Sequence, residues 1–464
     1  MRRISSILAL AALVAAPVAL SAAQKDVKLP PVTERALGNG LKVFVVETRE
    51  VPMVTVRFHL PAGSALDPRG KEGLAELTAT MLMRGAGGIG AEEMAVMIES
   101  VGGSLETGTG PDETHIAGDF MARDLSLALD LLSKVVTAPD FPAEEFEREK
   151  GIVVSDLISG REDPYGIATK VFIKELLGDH PYADPGKGYI DSVEKITLAD
   201  VAAFHGDNFV PEGCILAIVG DIDAAKALKE AEKRFGGWKG ARKASGAVAA
   251  IEPKTFPGGR VVVIDKPDAT QSMIRIGNIG TDRKTPDYFP LEVANTMLGG
   301  GFTSRLMDEI RVNRGLSYGV RSIMNKNLRG GYFGVFTYTK NQTLREAIDV
   351  SLAEIGKMRN EAAAGEEIEG TERYISGLFP FDIETNADIA QWMVTLEFYG
   401  LGKDFVENYR SRIDGVTAAD VQRVAGKYFH DGDNLIVVLT NYAETASQLE
   451  GLGEVKVIKA EDVR

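Results

Sequence analysis

A chain of 464 residues exceeds what one ordinary hydrophobic core organises, so two or more domains are expected. Hydrophobic residues at 44% and charged residues at 26%, with no low-complexity tract, exclude a disordered chain. A formal charge of −15, without any cluster of Lys and Arg, excludes nucleic acid as a partner.

The chain opens "MRRISSILALAALVAAPVALSAAQ": a basic start at Arg2 and Arg3, an apolar run from Ile7 to Leu20, and the small residues Ser21 and Ala23 before Gln24. This pattern predicts a signal peptide over residues 1–23 and an exported protein, periplasmic if the source is a Gram-negative bacterium, with no membrane span after its removal. Gln24 and not Cys follows the small residues, so no lipid anchor is expected.

Further on, "GLAELTATMLMRG" (73–85) has the period of a short amphipathic helix. Leu74, Leu77, Met81 and Leu82 face inward, while Glu76 and Thr80, one turn apart, share a polar face. "GAGGIG" (85–90) formally satisfies G-x-G-x-x-G but follows a helix where a dinucleotide site needs a strand, so a helix-to-helix turn is predicted. The five histidines, His59, His115, His180, His205 and His430, include no pair three or four apart, and hence no local helical grip for zinc. The single cysteine, Cys214, lies in the apolar run "CILAIVG" and reads as a buried strand thiol. In "LGGGFTSRL" (298–306) the Gly-Lys-Ser/Thr of a phosphate loop is missing; Thr303 or Ser304 is expected to cap a helix, with the glycines allowing close backbone approach.

The two halves carry the same segments in the same order. "VEKITLADVAAFHGDNFVPEGCILAIVGD" resembles "IDGVTAADVQRVAGKYFHDGDNLIVVLTN", pairing Thr197 with Thr417, Asp200 with Asp420 and Phe209 with Phe429 at a constant offset of 220 residues. "VPMVTVRFHLPAGS" likewise pairs with "ATQSMIRIGNIGT", and "TML" at 80–82 recurs at 296–298. Repeats this long are tandem domains. The mixture of strands and long helices predicts an α+β fold of two homologous domains, each an antiparallel-rich sheet with helices packed on one face. Their bounds are set at 31–238 and 260–460, joined by an Ala/Gly/Lys-rich linker at 239–259.

"GSALDPRGKEGLAELTATMLMRGAGG" resembles, nearly position for position, the zinc-site segment of the insulinase or pitrilysin-like metallopeptidases, including the mitochondrial processing peptidase type. That segment carries H-x-x-E-H within G-L-A-H-x-x-E-H-M-L-x-x-G. "GGSLETGTGPDETHI", "FEREKGIVVSDLISGREDPYG", "HPY" and "LGGGFTSRLMDEIRVNRGLSYGV" have counterparts in the same order, so the resemblance spans essentially the mature chain.

The resemblance implies a degenerate zinc site. Glu76 falls on the first His position, Ala79 on the general-base Glu and Thr80 on the second His; the third ligand position falls on Asp156, with Glu149 one heptad earlier. Thr is no zinc ligand at neutral pH, and Ala79 cannot take a proton from an attacking water, so no metal is expected on this chain. Glu76 and Asp156 alone make a poor, unselective cation site.

By the same resemblance "RVNRGLSY" is the substrate-clamping segment, with Arg311 and Tyr318 seven residues apart. A guanidinium and a phenol hydroxyl are the donors that would bind a peptide carbonyl and the oxyanion formed when water attacks it. The competing reading has Arg311 closing a helix end and Tyr318 packed at a strand start. Glu106 and Thr107 replace the Asn-Ala of the family's peptide-pairing edge strand; such pairing runs through the main chain, so side-chain changes need not abolish it.

The resemblance, with these departures from it, implies the non-catalytic partner of a heterodimeric exported zinc peptidase, inert alone. It would bind no cofactor itself, would complete the chamber for peptide substrates, and would pair with a homologous subunit that carries H-x-x-E-H and the zinc. Two alternatives stand beside it: a non-enzymatic peptide-binding clamshell or a scaffold like the core subunits of the respiratory cytochrome complex, and a homodimeric enzyme with a substituted metal site.

Overall fold

"VFVV" (43–46) and "LAIV" (216–219), like "VVVI" (261–264) and "IVVL" (436–439) in the second half, are too continuously apolar for strands with one wet face, and each is a strand buried on both sides. In the computed structural model, which describes residues 28–242 and 248–464, these strands form the centres of two six-stranded sheets. The expected signal peptide, residues 1–23, lies outside the described residues. No helix among the described residues is long and apolar enough to cross a membrane.

The first sheet contains β1 (Val32–Ala36), β2 (Lys42–Glu47) and β3 (Met53–Leu60). A two-residue ribbon, β4 (Gly85–Ala86) with β5 (Ile89–Gly90), stands apart from it. The sheet continues with β6 (Ser104–Thr109), β7 (Thr114–Met121) and β8 (Ile215–Gly220), in the order β1-β2-β8-β3-β7-β6. The second sheet is made of β9 (Arg260–Asp265), β10 (Gln271–Ile279), β11 (Val320–Met324), β12 (Tyr332–Lys340), β13 (Leu435–Thr440) and β14 (Glu454–Lys459), in the order β11-β12-β10-β13-β9-β14.

The two orders superpose strand for strand, with β8 and β13 as a repeated central pair 220 residues apart. Both copies of the repeat form a capping box: the Thr197 and Thr417 hydroxyls accept from the amides of Asp200 and Asp420, whose carboxylates accept from the Thr amides. The domains differ at one margin. β1 lies antiparallel to β2, whereas β14, from the far end of the chain, fills the equivalent place parallel to β9.

Each domain packs its own helices on one sheet face. In the first, α1 (Leu74–Leu82), α2 (Ala91–Glu99), α3 (Leu125–Thr137) and α4 (Ala143–Ser159) contribute Leu77, Met94, Leu129 and Phe146 to a core with Val43, Val54 and Phe58. The opposite face is covered by an exchange. α5 (Pro164–Leu177) sends Ile167, Val171 and Phe172 against Val262, Phe336 and Val437 of the second sheet. Reciprocally, helix Asn386–Tyr399 sets Ile389, Ala390 and Met393 against Phe44, Ile215 and Ala217 of the first. Strands buried on both faces therefore depend on the other domain for half of their burial.

Arg275 fastens this exchange. Its side chain is fully buried in β10, its Cζ lies 3.9 Å from the centroid of the Tyr165 ring on α5, and it donates to the Tyr165 carbonyl and the Thr169 hydroxyl, each at 3.0 Å. A lysine lacks the planar fork that serves these acceptors together. Arg275→Lys is expected to cost about 2 kcal/mol through lost stacking and unmet acceptors, read as a lowered denaturation midpoint. An unchanged midpoint would remove Arg275 from the account of domain coupling.

Candidate functional site

α1 is positioned through its N-terminus. The buried Asp67 carboxylate accepts from the amides of Gly73 and Ala75 at 2.8 Å each, filling the role a side-chain cap would take. Burial raises the Asp67 pKa to about 7, against the lowering effect of those amides. Beside it, the loop bearing Lys187 is pressed onto the start of α1. Gly188 has φ +73°, and a Cβ there would stand 1.9 Å from the Glu72 carbonyl oxygen; one at Gly73 (φ +101°) would stand 2.7 Å from that of Lys187. Only two glycines permit this approach.

The close approach explains what the positions of the resembled zinc site now hold. The Lys187 ammonium donates to Asp156 at 3.0 Å, and its charge also acts on the half-buried Glu76, opposing the burial that raises the Glu76 pKa. Thr80 spends its hydroxyl on the Glu76 carbonyl oxygen at 3.0 Å, and Ala79 is buried. Glu149, expected on the same face as Asp156, is diverted: it is buried and paired with Arg84 and Arg148, each at 2.7 Å, whereas Asp156 is exposed. Among the described residues no group of three or more His, Cys, Asp or Glu could hold a metal ion. The residues present therefore do not fit zinc: the Lys187 ammonium pairs with one of the two remaining carboxylates and acts on the other, and among the described residues no imidazole completes a ligand set with them. The same helix position in the second domain, Glu292, is paired with a lysine, Lys326.

Two of the five histidines do meet. His59 and His115 are opposite each other across β3 and β7, a juxtaposition invisible to a search for helical spacing. Burial pushes His59 down to about 3, leaving it neutral, and no third ligand accompanies the pair among the described residues.

β6, with Glu106 and Thr107, is the edge strand of its sheet. Glu106 is exposed, whereas the Thr107 hydroxyl donates to the Ala79 carbonyl at 2.9 Å and so fastens β6 to α1.

Arg311 and Tyr318 are brought together by a reversal of the chain. Arg311 lies in the last turn of a π-helical segment, Met307–Asn313, anchored by the buried Met307 and Ile310. Such segments are rare and concentrate at functional sites. The chain turns at Gly315, in the left-handed region at φ +61°, and the Leu316 amide returns to the Ile310 carbonyl at 2.8 Å. Thr339 and Thr337 of β12 then donate to the carbonyls of Leu316 and Gly319, at 2.8 and 3.0 Å, pinning the backbone on both sides of Tyr318.

The result is an Arg311 Cζ 4.5 Å from the centroid of the Tyr318 ring, with Tyr318 itself 75% exposed. Packing at a strand start does not describe this tyrosine. Nor does Ser304 cap as expected: it precedes the first helical residue, Arg305, but its buried hydroxyl has no partner. "GAGGIG" is the expected turn between helices, closed by the β4–β5 ribbon. Cys214 is buried, and burial holds its thiol far above its ordinary range.

Residues 42–172 match the insulinase domain of peptidase family M16, and residues 195–373 match the peptidase M16 inactive domain. The chain belongs to the M16 (insulinase) family. Its two M16 domains are the two mixed sheets with their helices.

Curated M16 relatives include an uncharacterized zinc protease of Mycobacterium leprae, 26% identical over 411 residues that cover 87% of this chain and 91% of that one. The crystal structure of a peptidase M16 inactive domain from Pseudomonas fluorescens matches with a TM-score of 0.81 at 28% identity, over 88% of this chain and 97% of that one. A protease from Helicobacter pylori shares the fold, with a TM-score of 0.81 at 21% identity over 89% of this chain and 100% of that one.

Proposed function

We propose that this M16 chain is the non-catalytic subunit of an exported, two-subunit zinc peptidase, in which Arg311 and Tyr318 hold the peptide while a homologous subunit supplies the zinc and the activated water. The reading rests on a single contrast: Ala79 occupies the position that must accept a proton, while a half-buried guanidinium and an exposed phenol are held side by side in the second domain. Donors of this kind act without a metal of their own. They bind the carbonyl oxygen of the bond to be cut and bind it more strongly as negative charge develops there. An edge strand such as β6 adds main-chain pairing to an extended peptide, which suits a polypeptide ligand.

The relatives named zinc proteases support peptide hydrolysis as the activity of the assembly. Export rests on the sequence pattern of residues 1–23. The test is co-expression of the mature chain with a homologue that retains H-x-x-E-H. A complex should elute as one species and cleave peptides that neither chain cleaves alone. A homologue fully active by itself, or zinc bound stoichiometrically by this chain, would overturn the reading.

A further inference from the structure

A cavity of about 490 Å³ opens between three chain segments on the side of the second sheet that α5 covers. The start of α5 with the residues just before it forms one wall, the turn between β9 and β10 a second, and the segment that follows β14 a third. A space of this size suits a small organic molecule. On α5, Ile167 and Lys170 stand three residues apart and share a helix face, which sets an apolar surface beside an ammonium. Pro267 and Val463 continue the apolar part from the other two walls.

Most charges around the cavity are spent on one another. Lys266 donates to the two oxygens of Asp268 at 2.9 and 3.0 Å, Lys459 to Glu461 at 3.2 Å, and Arg464 to the two oxygens of Asp191 at 2.8 and 2.7 Å. Asp265 accepts the Tyr442 amide at 3.1 Å. Arg161 and Lys170 are left over. Among the described residues Arg161 has no ion pair or hydrogen bond, and the half-buried Lys170 donates to the Arg464 main-chain oxygen at 3.2 Å. Burial and the Arg161 charge together hold the Lys170 pKa below the usual lysine range, and no described carboxylate opposes them. Two like charges facing one space are costly, and an anion beside them would relieve both.

We propose that this cavity binds an apolar monocarboxylate, with Arg161 and Lys170 taking the carboxylate and Ile167, Pro267 and Val463 taking the apolar body. A guanidinium presents a planar fork that matches a carboxylate, and the ammonium adds a point charge. A phosphate or other multiply charged anion is disfavoured, because Glu162, Asp265, Asp268 and Glu461 line the same space and repel added negative charge. Two sources share the favoured chemistry: a free alkyl or aryl acid, and the carboxyl-terminal residue of a peptide. Neither Arg311 nor Tyr318 lines the cavity, so the inference stands apart from the function proposed for that pair.

The test is calorimetric titration of the full mature chain with hydrocinnamate, its uncharged amide, acetate and inorganic phosphate. Hydrocinnamate is expected to bind once per chain and to raise the melting temperature. The amide, which lacks the charge, and acetate, which lacks the apolar body, should each bind at least about tenfold more weakly, as should phosphate. Lys170→Met, which keeps the apolar stem, should weaken hydrocinnamate by about tenfold, and Lys170→Arg should restore it. Arg161→Gln, on an exposed side chain that bonds no other described residue, should show the same loss without any change in the melt of the free chain. The peptide Gly-Ser-Gly-Ser-Phe separates the two sources: binding that is lost on amidation of its end assigns the site to peptide termini, and no binding assigns it to free acids.

No binding of hydrocinnamate at millimolar concentration would overturn the inference. So would an amide, acetate or phosphate that binds as tightly as hydrocinnamate, or wild-type affinity in both Lys170→Met and Arg161→Gln.

Discussion

Arg311→Ala is expected to lower kcat/KM of the proposed two-subunit enzyme by about 10²–10³-fold, the usual cost of removing one preorganised donor from a developing oxyanion. The loss should fall mainly on kcat, because the donor's interaction strengthens as the carbonyl oxygen gains charge. Tyr318→Phe deletes one hydroxyl and leaves the ring that stacks on Arg311, so its effect should be smaller, about tenfold to 10²-fold.

Arg311→Lys is not expected to rescue. An ammonium is a point donor that cannot present the planar fork of a guanidinium to a carbonyl oxygen. Stability should be untouched in all three variants, since Arg311 bonds no other described residue and Tyr318 stands in water. The check is steady-state kinetics of the complex beside thermal melts of the isolated chain. Wild-type rates in Arg311→Ala would remove the clamp from the proposed function.

The second large effect concerns metal binding. The combined variant Glu76→His, Ala79→Glu, Thr80→His and Lys187→Ala should retain one zinc per chain after desalting, where the parent chain retains none. Two imidazoles on one face of α1, with Asp156 across from them, make a three-ligand set with an open position. Lys187 is included because its ammonium already pairs with Asp156 and its charge acts on Glu76, so a zinc ion would have to displace a like charge. The same variant with Lys187 kept is expected to bind zinc more weakly, and comparing the two isolates the contribution of the lysine. Equal zinc retention in both would show that Lys187 does not guard the site. Retention by the parent chain would overturn the assignment of a degenerate site.

Much of this molecule is local enough to be legible in its sequence. The duplication shows in the paired segments around Thr197–Asp200 and Thr417–Asp420, which both fold into the same local contact between residues three apart. By the family resemblance Glu76, Ala79 and Thr80 fall on the zinc-motif positions, and residue type alone says that neither imidazole nor a general-base carboxylate stands where that motif has them. The Arg311–Tyr318 pair was marked by the resemblance of "RVNRGLSY" to the family's clamping segment, and the turn at Gly315 brings the two side chains together.

What the sequence left undecided depends on segments far apart along the chain. Periodicity marks an apolar face but not its partner, so the exchange of α5 and helix Asn386–Tyr399 between sheets, and the burial of Arg275 with it, required the folded chain. Glu149 and Asp156 look equivalent one heptad apart, yet Arg84 claims the first and Lys187 the second, and only the packing of Gly188 on Gly73 brings Lys187 there. Phe302 was one more apolar residue in a glycine-rich run until folding set its ring against the guanidinium of Arg311. Residue types along the resembled motifs marked the candidate positions; long-range packing decided which charges and rings surround them, because those neighbours come from segments that sequence separation does not relate.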